Sequence, residues 1–208
     1  MKLYTFDPAP NPRRVGLFAA YKGIDLPIQQ IDLRTGEQFS VAFRAINPQC
    51  TVPALQLDDG QVLCGALAIC WFLECRFPNR PLFGTDPLVQ AQVLSWDSYL
   101  YTEGLAAVAE ALRNRSEAFK DRALPGPHPV PQIPELERRG RQRLQPFWER
   151  LDDHLRGRAH VVGDTMTLAD IDLLVVIDFA SWIKEHIPDS RPSLTAWYER
   201  TRETFPKP

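Results

Sequence analysis

The sequence predicts an α/β N-terminal region followed by an all-α C-terminal region. Three observations predict it. Residues 2–77 alternate strand-like and helix-like patterns in the order βαβ, then ββα. Pro78, Pro81, Gly84 and Pro87 then make a linker by composition. Beyond them only helical patterns follow, which divides the 208 residues into a domain at 1–78 and a domain at 87–208.

Residues 2–6 are β-prone and read as the first strand. Asn11 followed by Pro12 reads as a helix start, with Asn11 capping and Pro12 in the first turn, where a missing N–H has no partner to lose. Gly23 reads as the stop of that helix. Residues 27–33 read as a second strand, completing a βαβ unit. A polar loop from Arg34 to Gln38 leads to a short helical piece near 40–45. Asp59-Gly60 between apolar runs predicts a hairpin joining strands 53–57 and 61–63. A helix then spans about 65–77 and ends before Pro78.

In the second half, residues 88–118 read as one long helix. Five prolines between positions 125 and 134 make a loop, and residues 135–156 form a charged helix with one apolar side. Thr167-Leu168-Ala169-Asp170 reads as a capping-box start with Asp170 as the structural partner, and the apolar helix behind it runs to about residue 184. A last helix covers about 193–204 with Ser193 as its cap.

A net charge of −2 excludes an overall basic nucleic-acid footprint. No apolar run approaches the ~20 residues of a membrane span, and the N-terminus has no apolar core of a secretory signal. The expectation is a cytoplasmic protein without nucleic-acid or membrane partners. Cys50, Cys64, Cys70 and Cys75 form no CxxC pair and have no nearby histidine, so no metal is expected. They read as small apolar residues in a reducing compartment, or, for Cys50 in its turn, as a reactive thiol.

The pieces Ala9-Pro10-Asn11-Pro12-Arg13-Arg14-Val15, Tyr21-Lys22-Gly23-Ile24, Val52-Pro53-Ala54-Leu55, Leu67-Ala68-Ile69 and Thr167-Leu168-Ala169-Asp170-Ile171 occur in this order over nearly the whole chain. Together they resemble a glutathione S-transferase, of the bacterial branch with an Ala-Pro-Asn-Pro loop at the first helix. The resemblance implies an N-terminal thioredoxin-like domain holding glutathione as co-substrate. It also implies an all-α C-terminal domain contacting a small electrophile, and a homodimer. The implied glutathione site comprises Gln38, Thr51, Val52, Pro53, Gly65 and Ala66, with Val52 before a cis-proline. Trp96, Tyr99 and Glu103 are the implied second-substrate residues; ordinary packing is the other reading of the aromatic pair.

Two departures stand out. Where the family carries a Glu-Ser pair against the γ-glutamyl group, this chain has Gly65-Ala66. A lost hydrogen bond to a charged group weakens binding by about 10- to 150-fold. Where the family places a Tyr, Ser or Cys to donate to the thiolate, this chain has Phe6 and Ala9. Asn11 is the nearest remaining donor and the implied catalytic residue. The expected function is conjugation of the glutathione thiol to an electrophile. The alternative from the same departures is a glutathione-independent protein of this fold, with a binding or biosynthetic role.

Overall fold

In a computed structural model, residues 1–205 are described. They form two compact units. One is Met1–Arg80 with Leu124–Val130; the other is Pro81–Ala123 with the chain from Pro131 on.

The first unit is built on a four-stranded sheet of order β2-β1-β3-β4. Its strands are β1 (Lys2–Thr5), β2 (Ile28–Gln30), β3 (Ala54–Gln56) and β4 (Val62–Cys64). β1 pairs parallel with β2 and antiparallel with β3, and β3 pairs antiparallel with β4. Three helices belong to it: α1 (Pro10–Lys22), α2 (Val41–Ile46) and α3 (Ala66–Arg76). Tyr4, Ile31, Phe43 and Ala54 bury one cluster against the sheet. Val15, Phe18, Ile69 and Leu73 are buried on α1 and α3, the apolar stripes of those helices.

Local chemistry explains most boundaries. Gly23 adopts φ +68° after α1, and Ile24 N–H returns to Ala19 O at 2.9 Å while Gly23 N–H bonds Ala20 O, which is a Schellman stop. The hairpin turn closes with Leu57 N–H to Gln61 O at 2.8 Å, and Gly60 takes φ +87°. The start of α1 corrects the sequence expectation. Ala9, not Asn11, is the cap residue, and Pro10 opens the helix. Both prolines sit among the first-turn positions whose N–H groups have no intrahelical partner, so the helix begins at the first of them. Asn11 lies inside the helix. β2 is also shorter than expected, because Asp32 N–H bonds Glu37 Oε2 at 2.7 Å and so leaves the ladder. A buried ion pair, Lys22 Nζ to Glu74 Oε2 at 2.6 Å, ties α1 to α3, and Lys22 also donates to the Asn79 and Arg80 carbonyls.

The second unit is helical: α4 (Pro87–Tyr99), α5 (Ala106–Arg115), α6 (Glu135–Leu155), α7 (Leu168–Ala180) and α8 (Pro192–Arg202). A π-helical stretch, Leu100–Leu105, interrupts the single long helix expected over 88–118. Gly104 in that stretch is where backbone meets core: a Cβ there comes within 2.8 Å of Phe147 and Val176. Gly140 on α6 likewise allows close approach to α5, since a Cβ added there would meet Ala107 O at 2.5 Å.

α7 starts with the expected capping box, and Asp170 is wholly buried. It ends earlier than expected, at Ala180, where Lys184 turns left-handed at φ +61° and Glu185 N–H returns to Ala180 O. Ser193 is not the cap of α8. Pro192 opens that helix, and the Leu194 amide is satisfied across the fold by Asp152 Oδ1 of α6 at 3.0 Å. The first unit is thus a thioredoxin-like α/β fold and the second is all-α.

Candidate functional site

The sheet register brings several expected residues to one edge. Tyr4 pairs with Ala54 and Ala54 with Cys64, so the end of β1, the start of β3 and the end of β4 coincide. The 6–10 loop, residues 51–53 and residues 65–66 therefore emerge together. β2 runs parallel to β1 and ends at the same edge, sending the 31–39 segment out from it.

The Val52–Pro53 bond is cis. The Val52 side chain packs against the Tyr4–Phe43 cluster, while its amide and carbonyl make no hydrogen bond among the described residues. Its neighbours are tightly held: Asn47 Nδ2 donates to Thr51 O at 2.7 Å and to its hydroxyl at 3.1 Å. Cys50 is only 4% exposed, with its Sγ 3.5 Å from Pro48 O, so it fills the turn and presents no thiol to solvent.

Gly65 holds φ +90° and ψ +130° at the start of α3, with no side-chain cap. The first helical bond is Ile69 N–H to Gly65 O. The amides of Ala66, Leu67 and Ala68 are consequently unclaimed by the helix, and such amides with the helix dipole attract a carboxylate. A Cβ placed on Gly65 meets nothing within 4 Å, so the space beside this residue is open.

Gln38 lies in the Glu37–Phe39 turn, 7% exposed, and its Oε1 has no hydrogen-bond partner among the described residues. A buried acceptor left unmatched costs about 1–3 kcal/mol, so this oxygen is suited to a ligand donor. Asn11 Oδ1 accepts from Arg14 Nη1 at 3.2 Å. That bond orients the amide, and Nδ2 carries no bond among the described residues. Phe6 and Ala9 offer no side-chain donor; the Phe6 ring lies under the Arg34 guanidinium.

On the helical unit, Tyr99 and Glu103 line an open groove of about 770 Å³ with Arg143, Phe147 and Arg150. Trp96 stands edge-on to Tyr99 and packs on His154 at 4.3 Å. Arg150 stacks over Tyr99 at 4.0 Å. Burial raises the Tyr99 hydroxyl above its usual range, against an opposing pull from Arg150, so it stays a donor at neutral pH. Glu103 pairs with Arg143 at 3.3 Å. Sequence reasoning missed Arg143 and Arg150. The signal available was their seven-residue spacing, two helical turns, beside Phe147. No group of three His, Cys, Asp or Glu side chains stands as a metal site among the described residues.

Comparison with known proteins settles the family. The model of the glutathione S-transferase N-terminal domain matches residues 9–76, and that of the C-terminal domain matches residues 135–204. The chain is 32% identical over 176 residues to maleylacetoacetate isomerase of Pseudomonas aeruginosa, covering 67% of this chain and 83% of that protein. This chain belongs to the glutathione S-transferase family. It is 29% identical to glutathione S-transferase 2 of Saccharomyces cerevisiae over 98% of this chain and 86% of that one. The crystal structure of Gtt2 from the same yeast superposes with a TM-score of 0.88 at 28% identity, covering 98% and 96% of the two chains. A glutathione S-transferase domain-containing protein of Marinobacter aquaeolei superposes with a TM-score of 0.89, also at 28% identity, covering 98% and 99%. The function is accordingly glutathione S-transferase-like.

Proposed function

We propose that the chain conjugates the thiol of glutathione to a small electrophile, acting as a cytoplasmic homodimer. Residues 1–78 form the glutathione domain and residues 87–208 the domain that contacts the electrophile. The observation that carries this reading is the unpaired main chain of Val52 beside the open N-terminus of α3. A cysteinyl peptide pairs with the Val52 amide and carbonyl as an added strand does. The γ-glutamyl carboxylate takes the first-turn amides of α3, without the hydroxyl that Ala66 lacks. Gln38 Oε1 accepts from a peptide or ammonium N–H of the ligand, and the Thr51 hydroxyl borders the same segment.

The Asn11 Nδ2 donates to the thiolate, which lowers the thiol pKa and holds the sulfur for attack. The thiol proton passes to water, and the sulfur lone pair forms the new S–C bond as the electrophile's leaving group departs with its bonding pair or, in an addition, as the π pair of its activated double bond moves away and is protonated by water. Trp96, Tyr99 and Glu103 supply the second-substrate contacts, with Tyr99 as a neutral donor. The four cysteines and the histidines take no part, and no metal is needed.

Calorimetric titration with reduced glutathione tests the reading. The expected result is binding between micromolar and low millimolar, tightened about tenfold in Ala66→Ser by one restored hydrogen bond. No heat in either protein up to about 10 mM overturns it.

A further inference from the structure

The loop after α5 holds a feature that the glutathione chemistry does not use. Arg113, on α5, donates through Nε to Ala123 O at 3.1 Å, and its guanidinium lies 4.6 Å from the Phe119 ring centroid. Arg122 donates through Nη2 to Ala118 O at 2.8 Å. Both carry positive charge, and both are bonded only to main-chain carbonyls. Neither has a carboxylate within ion-pair distance among the described residues. Of the acids in the segment, Glu117 lies by Lys120 at 3.9 Å and Asp121 is exposed.

The segment is firmly built around them. Gln132 Nε2 bonds the carbonyls of Arg113 at 2.6 Å and Ser116 at 2.8 Å, and Ile133 N–H bonds Asn114 Oδ1 at 2.9 Å. Burial, then the like charge of Arg122, pulls the Arg113 guanidinium down to about 10, so it remains protonated at neutral pH. Arg113 bonds Ala123 O and packs on Phe119 while Arg122 bonds Ala118 O, so both cations flank the 118–123 segment, and an anion beside them offsets their mutual repulsion. The guanidinium N–H groups left over from the carbonyl bonds are not sealed in the interior.

We propose that Arg113 and Arg122 form a binding site for a small oxyanion, a carboxylate or phosphate group, held by their forked donors beside the 118–123 segment. None of its residues belongs to the thioredoxin-like unit.

Titration of the whole protein with inorganic phosphate and, separately, with benzoate tests it, each at constant ionic strength set with sodium chloride. The Nε–H resonances of Arg113 and Arg122 serve as the readout. Both resonances are expected to shift saturably with at least one probe. A preference for phosphate identifies a phosphate-bearing ligand, and a preference for benzoate an aromatic carboxylate. Arg122→Gln is expected to weaken binding by about tenfold or more, while Arg138→Gln, the same charge change on exposed α6 surface, leaves it unaltered. No saturable shift with either probe, or equal weakening in both variants, overturns the proposal. The wild-type resonances decide the first point without any variant.

Discussion

Two helix starts in this molecule solve the same problem in opposite ways. Each leaves its first amides without intrahelical acceptors. At α7 the chain supplies its own carboxylate. Asp170 Oδ2 accepts from the Thr167 amide and hydroxyl, both at 2.9 Å. Its Oδ1 accepts from Val161 N–H at 2.9 Å and Trp197 Nε1 at 3.2 Å. At α3 the cap residue is Gly65, no side chain among the described residues bonds the first-turn amides, and a Cβ on Gly65 meets nothing within 4 Å. A closed terminus serves folding; an open one is ready for a ligand's carboxylate. Both ends carry the same dipole; at α7 the carboxylate belongs to the chain and takes the N-cap amide, with Leu168 N–H satisfied by Leu82 O, whereas at α3 the first-turn amides are left for an anion from outside.

The strongest way to break this comparison is at Asp170. Asp170→Ala leaves three buried N–H donors unmatched at about 1–3 kcal/mol each, so a loss of about 4 kcal/mol or more is expected in urea unfolding. A loss below about 1 kcal/mol would reduce Asp170 to an ordinary surface cap. Asp152→Ala is a milder case of the same kind. It strips the Leu194 amide of its acceptor, and about 1–3 kcal/mol is expected, with α8 the first helix to exchange its amide hydrogens.

At α3 the expectation reverses. Gly65→Ala meets no atom, yet φ +90° is strained for a residue with a Cβ, so a thermal scan should show about 1–2 kcal/mol of destabilisation. An unchanged midpoint would show that the backbone there relaxes freely.

The smallest effect is one of pH. His154 Nε2 contacts Val161 O at 2.8 Å, in the loop that Asp170 anchors. Burial, aided by the charges of Arg158 and Arg150, holds its pKa below the usual 6.5 despite the Val161 contact. Above 6.5 the ring is neutral in both states. As pH falls through that value the unfolded chain takes up a proton that the folded ring does not, so stability falls with acid. His154→Gln is expected to flatten the loss between about pH 7.5 and 5.5. An identical slope in the two proteins would remove His154 from the account.

How far the sequence could be read follows from the range of the interactions involved. Gly23, Asp59-Gly60 and the Thr167–Asp170 box act within a few residues of themselves, and each was legible. Ser40 caps α2 by the same short-range means, its Oγ accepting from Phe43 N–H at 3.1 Å, although the sequence alone predicts only a short helical piece there. Asn11 and Ser193 misled for one reason: a good cap residue followed or preceded by proline looks local, while the actual start depends on neighbours. For α8 that neighbour is Asp152, some forty residues earlier. The π-helical stretch was equally hidden, because Gly104 reads as a weak point in a helix until Phe147 and Val176 are seen packed against it. For the glutathione site, the residue types were legible and their states were not. Only the fold shows Val52 unpaired, Gln38 buried with an unmatched oxygen, and Cys50 shut inside its turn.

The sequence by itself determined the two-part plan, the order of strands and helices, the open Gly65-Ala66 terminus and the self-capped α7, because periodicity, glycine, proline and short polar side chains act on adjacent backbone. Tertiary structure alone decided which polar groups are paired and which are spare. Arg143 and Arg150 became the wall of a groove, and Arg113 and Arg122 became cations without a carboxylate partner among the described residues. A hydrogen bond or ion pair has a reach of only a few ångströms, and which side chains come within that reach is set by the packing of distant segments.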